Sequence, residues 1–119
     1  MAVGDKVRVS GTYMYSGNEN IPIYAVEVGP DNRYVLDLEG CATGLRVAGG
    51  VKPNSTGTID GHPVKVYRKQ LIGYEKVTSL GVDTVVLFPV LFDHYQRVGW
   101  VPSDYLQMID GHQLDSINR

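Results

Sequence analysis

Three residue types in this chain could do chemistry: one cysteine, three histidines and a scattering of carboxylates. Cys41 has no second cysteine to bridge to, so no intramolecular disulfide can form. As a nucleophile its thiol would need a paired His to hold it as thiolate, and the sequence sets none beside it. It reads as a small buried side chain. His62, His94 and His112 fall in turns or in the tail, with no Cys partner and no His-x-x-x-His spacing. A zinc site asks for about four ligands held tetrahedrally, and this pattern does not supply them. Asp31, Asp37, Glu39, Asp60, Asp83 and Asp93 lie mostly at turns, where Asp serves backbone geometry. No pair of them is favoured for acid–base work, and no Ser sits in a Gly-x-Ser-x-Gly elbow. The expectation is a protein that is not an enzyme and holds no metal or cofactor.

Tyrosine is the informative excess, eight against two Phe and one Trp. Tyr13, Tyr15, Tyr24, Tyr34, Tyr67, Tyr74, Tyr95 and Tyr105 mostly fall near expected strand ends and loops. A tyrosine ring is rigid and apolar with a polar tip, which suits recognition of peptides and sugars as well as the sealing of a small barrel. With 43% hydrophobic and 20% charged residues over 119 positions, the chain has the composition of one globular domain. A net charge of −2 without a basic run gives no footprint for nucleic acid or anionic lipid. No apolar run approaches the ~20 residues of a membrane span. Met1 to Asp5 lacks the pattern of a signal peptide, so synthesis in the cytoplasm is expected, with any extracellular role requiring release by lysis or an association with phage.

Strands must position these side chains. Lys6 to Ser10 alternates polar and apolar, the period of a half-buried strand, and Thr12 to Tyr15 continues it past Gly11. Ser16 to Asn20 is a polar loop. Ile21 to Val28 is a second extended piece with Pro22 restricting its start to an edge. Gly29-Pro30-Asp31-Asn32 turns the chain, and Arg33 to Leu38 is expected as a third strand. Glu39 to Gly61 is a Gly-rich middle in which Leu45–Val47 and Thr56–Ile59 are short strands. Gly49-Gly50 lacks the strand–loop–helix context of a phosphate cradle. Asp60-Gly61 signals a two-residue hairpin leading into a strand over His62–Tyr67. Lys69 to Leu80 has no clear period. Thr84 to Phe92 is the most apolar run and should be the central strand, followed by a tight turn at Asp93–Gln96.

The closing stretch is Arg97-Val98-Gly99-Trp100-Val101-Pro102-Ser103-Asp104-Tyr105-Leu106. Pro102 cannot donate a ladder hydrogen bond, so the strand should end there, and Pro-Ser-Asp is a good start for one 3₁₀ turn. That turn is expected to swing Tyr105 back beside Trp100 and Pro102. Gly-aromatic-Val-Pro-Ser-Asp-Tyr-Leu resembles the closing segment of Src-homology-3 (SH3) barrels. Gly4-Asp5-Lys6-Val7, with Val9, Gly11 and Tyr13, is similar to the opening of bacterial SH3-like modules that bind cell wall beside hydrolases, as in phage endolysins. Those modules are commonly about half as long, so the Gly-rich middle is an elaboration. The acidic loop and adjacent Trp pair of eukaryotic SH3 domains are not evident.

The resemblance implies an all-β fold, a small SH3-like barrel over residues 1–109 with an elaborated middle, and a polar tail over 110–119. It implies a non-catalytic recognition module for the peptidoglycan peptide or another cell-wall polymer. A trough formed by Tyr13, Tyr15, Trp100, Pro102 and Tyr105 would bind it. The alternative is a small phage structural, assembly or inhibitory protein on the same barrel, with a protein partner. RNA or DNA binding on such a barrel is disfavoured by the charge.

Overall fold

The computed structural model describes residues 1–10, 20–71 and 83–109. Eight strands form in chain order: β1 (Lys6–Val9), β2 (Ile21–Val26), β3 (Leu45–Val51), β4 (Thr56–Ile59), β5 (Val64–Tyr67), β6 (Thr84–Phe92), β7 (Val98–Pro102) and β8 (Leu106–Met108). Two 3₁₀ turns, Arg68–Gln70 and Ser103–Tyr105, are the helical elements among the described residues. The protein is all-β, and its named strand ladders are antiparallel. The strands lie in the order β3-β2-β7-β6-β4-β1-β8, with β5 also on β6. No ladder joins β3 to β8 among the described residues, so the sheet is not closed.

β6 is the central strand, as its nine-residue apolar run requires, and its two halves bury opposite faces. Val85 and Leu87 enter one apolar layer with Tyr24, Val64, Val66 and Trp100. Phe88, Val90 and Phe92 enter the other with Val7, Val9, Ile21, Ile23, Ile59 and Val101. Successive strand side chains alternate faces, so a strand that serves both layers reads as continuously apolar rather than alternating. The same exchange occurs in β2 between Ile23 and Tyr24, beside a bulge in its pairing with β3, and in β7 between Trp100 and Val101.

Two glycines let the strands approach at the layer of Ile23, Val90 and Phe92. A Cβ on Gly57 would stand 2.6 Å from the Leu91 carbonyl oxygen and 2.6 Å from Val90 Cγ1. One on Gly99 would stand 2.8 Å from Ile23 Cδ1. Both positions need the missing side chain.

The first and last strands, β1 and β8, are neighbours. After Pro102 the single 3₁₀ turn carries the chain into β8, which pairs with β1 through Val7–Met108, Arg8–Gln107 and Val9–Leu106. The Ser10 amide donates to the Tyr105 carbonyl at 2.6 Å.

Three expectations are corrected. Arg33–Leu38 is no strand; it makes only the single bridges Val28–Tyr34 and Leu36–Ala42, and most of its side chains are exposed. Asp60-Gly61 is not a hairpin, because β4 and β5 do not pair with each other. Both lie along β6, at Val90–Phe92 and Thr84–Leu87, so residues 60–63 are a jog between two pieces of one course. The strand at Leu45 runs on through Gly49 and Gly50 to Val51, paired with β2 on both sides of a bulge at Ala48. The expected strand at Thr12–Tyr15, the residues after Leu71 in the unassigned stretch, and the tail from Asp110 lie outside the described residues.

Candidate binding surface

Between β2 and β3 the chain makes a long excursion, residues 27–44, over the layer that contains Trp100. Its turns are built locally. The Gly29 amide donates to the Arg33 carbonyl at 2.7 Å, and Asn32 takes a left-handed φ of 62°, which Asn tolerates. At the far end Asp37 Oδ1 accepts the Glu39 and Cys41 amides, each at 2.9 Å, and Gly40 supplies a φ of 81°. This is the backbone role that Asp plays in turns.

The returning limb is tied to β5. The Ala42 amide donates to the Lys65 carbonyl at 2.8 Å, and the Cys41 and Ala42 side chains are completely buried. The Tyr67 hydroxyl donates to Asp37 Oδ2 at 2.6 Å. That bond, together with the Cys41 and Glu39 amides, holds the Asp37 carboxyl below its ordinary range. The same bond, with desolvation and the nearby Cys41 thiol, pushes the Tyr67 phenol well above its usual value. Cys41 is thus a packing residue at the root of this segment.

Among the side chains the excursion presents to solvent, several are large and apolar. Val28, Tyr34, Val35, Leu36 and Leu38 are all exposed, and Leu38 lies wholly in solvent at 106% of its reference area. Val28, Asn32, Arg33, Tyr34 and Leu36 line a recess of ≈ 520 Å³. Tyr34 closes one side of it and meets Trp100 edge-on, with ring centroids 5.4 Å apart. A second open groove of ≈ 530 Å³ runs beside it between Ala25–Val28 and Thr43–Arg46.

Three of the five residues expected to form an aromatic trough are among the described residues. Tyr13 and Tyr15 lie outside the described residues. Trp100 is 6% exposed, Tyr105 5%, and Pro102 is fully buried. Trp100 and Pro102 are two apart on β7, so they share a face, whereas Tyr105 is carried by the 3₁₀ turn into the opposite layer with Val101. These three residues do not converge on one cleft. Tyr34 and its neighbours were masked in the sequence by an apparent strand alternation; the signal that could have found them is turn chemistry on both flanks, Gly29–Asn32 and Asp37–Gly40.

His62 and His94 are exposed. Among the described residues no group of three or more His, Cys, Asp or Glu could hold a metal ion, and no helix is long and apolar enough to cross a membrane. The arrangement offers apolar contact area and exposed carboxylates. Fold and surface together define an all-β protein with one open antiparallel sheet and an apolar apron. Comparison with protein-family models finds no match, and neither does comparison with curated proteins or with solved structures.

Proposed function

We propose that the chain is a non-catalytic recognition module on an SH3-like barrel, and that its ligand is the peptide portion of bacterial cell wall. The observation that carries this reading is the meeting of β8 with β1 across the Ser103–Tyr105 turn. The two segments that resemble SH3-like modules are separated by most of the sequence, yet they lie side by side. The path β8-β1-β4-β6-β7, returning to β8 through that turn, is the strand circuit from which such a barrel would be built. In this reading Trp100, Pro102 and Tyr105 are buried packing residues of the two layers, and Tyr13 and Tyr15 are the ligand contacts. Pull-down with purified wall sacculi tests it. Binding that is lost in Tyr13→Ala and Tyr15→Ala supports the proposal, while no binding, or binding unchanged by both, overturns it.

A second reading is favoured by the exposed apolar side chains between Val28 and Leu38: a small structural, assembly or inhibitory protein whose partner is another protein. Retention by sacculi and capture of a protein partner distinguish the two.

A further inference from the structure

The 27–44 excursion differs from an ordinary connection in three respects. It spans all eighteen residues between Val26 and Leu45, whereas most connections in compact domains run about 4–6 residues and much longer ones are commonly functional. It is anchored, by buried Cys41 and Ala42 and by the Tyr67–Asp37 bond, yet it turns Val28, Tyr34, Val35, Leu36 and Leu38 outward. An anchored loop has already lost much of the freedom that binding would otherwise remove. Charge is the third respect. Glu27, Asp31, Asp37 and Glu39 stand against Arg33 alone, a net of −3 in a chain whose total is −2, which leaves +1 for everything else. Arg46, Lys65 and Lys69 stand at its border, so the negative charge lies on the segment's own Glu27, Asp31 and Glu39 rather than on the surface as a whole. Asp37 is engaged by Tyr67, but Glu27, Asp31 and Glu39 are exposed.

We propose that this apron is a docking surface for a basic amphipathic segment of a partner protein, goes beyond any wall ligand, and is independent of Tyr13 and Tyr15. The partner's apolar side chains lie on Tyr34, Leu36 and Leu38, with one entering the recess beside Val28. Its Lys or Arg groups meet Glu27, Asp31 and Glu39. Arg33 lines the recess itself, so it directs basic side chains to the carboxylates and away from the pocket. A second copy of this chain is the poorer occupant, because a two-fold contact sets like surface against like and would bring two negative patches together. Acidic partners meet the same repulsion.

Fluorescence anisotropy with the full chain tests this, using two labelled synthetic peptides of equal length and helical apolar spacing, one of Leu and Lys, the other of Leu and Glu. The Leu/Lys peptide is expected to bind at least about tenfold more tightly, with affinity falling as salt rises. The triple variant Glu27→Lys, Asp31→Lys, Glu39→Lys should reverse that preference. Leu36→Ser with Leu38→Ser should weaken binding about tenfold while circular dichroism is unchanged, because both side chains are already exposed. Failure of the Leu/Lys peptide to bind, equal binding of the two peptides, or an unchanged preference in the charge-reversed variant overturns the proposal. Sedimentation equilibrium provides a further check. A dimer that dissociates in the double Leu→Ser variant would assign the apron to a second copy and overturn it as well.

Discussion

Tyr34 stands perpendicular to Trp100, with ring centroids 5.4 Å apart and planes at 90°. Edge-to-face geometry sets the positive ring edge against a negative face and adds about 0.5–1.5 kcal/mol to what burial contributes. Trp100 is the only tryptophan in the chain, so tryptophan emission reports its surroundings without interference from another indole. Tyr34→Ala should uncover Trp100, shift its emission to the red and raise quenching by acrylamide, at a stability cost of about 1 kcal/mol. Tyr34→Phe, which keeps the ring, should leave emission unchanged. A blue or unshifted spectrum in Tyr34→Ala would contradict this packing.

Gly57 and Gly99 test how closely the layer of Ile23, Val90 and Phe92 is packed. At Gly57 one obstacle is the Leu91 carbonyl oxygen, backbone that cannot turn aside as a flexible side chain would. Gly57→Ala should therefore destabilise by about 1–3 kcal/mol, the usual range for overpacking. Gly99→Ala meets the end of Ile23 as well as its Cβ, so Ile23→Val should recover part of its loss. Urea denaturation of the two single variants and the Gly99→Ala, Ile23→Val double variant measures both effects.

The strands that bury one face are the most legible in the sequence. β1 alternates because Val7 and Val9 enter the core while Lys6 and Arg8 do not. Strand β6 is legible for another reason: a run this apolar supplies buried side chains to both layers and must lie in the middle. The Pro102 stop and the turn after it follow from proline's missing N–H. Arg33–Leu38 misleads because a period of two needs a partner strand to mean anything. Here Tyr34 and Leu36 meet single bridge partners, and no ladder lies beside them. Asp60-Gly61 misleads similarly, since two residues of turn chemistry serve a jog as well as a reversal. The site was less legible than the fold. Trp100 and Tyr105 look alike in sequence, and only the face switch at Trp100–Val101 separates them into two layers.

The Asp37–Tyr67 bond should make the root of the apron sensitive to pH at both extremes. Asp37 is lowered from 3.8, so its contribution is present above that value and is lost as pH falls through the lower, folded value. Tyr67 is raised from 10.0, so its contribution is complete below that value and is lost only as pH rises through the higher, folded value. The bond therefore holds throughout the interval between 3.8 and 10.0. NMR shifts of the Glu39 and Cys41 amides, both bonded to Asp37, should stay constant there and move in acid below it. Tyr67→Phe removes the largest cause of the Asp37 shift, so the acid transition should move upward toward the ordinary carboxylate value. An unchanged midpoint would show that the hydroxyl does not hold Asp37.

Tyr105 links the last strand to the first, and its removal should be felt at β1. The ring is buried in the layer that contains Val7 and Val9, and the Tyr105 carbonyl accepts the Ser10 amide at 2.6 Å. Cutting the side chain back leaves a cavity that strands held on several sides cannot collapse to fill, so Tyr105→Ala should cost about 3–5 kcal/mol. The loss should appear first as faster hydrogen exchange at Val9 and Ile109, whose amides bond Ser55 and Lys6. Leu38→Ala is the matching control, since a side chain already in water should change stability by less than about 0.5 kcal/mol. If both variants unfold at the same urea concentration, Tyr105 does not hold β8 against β1.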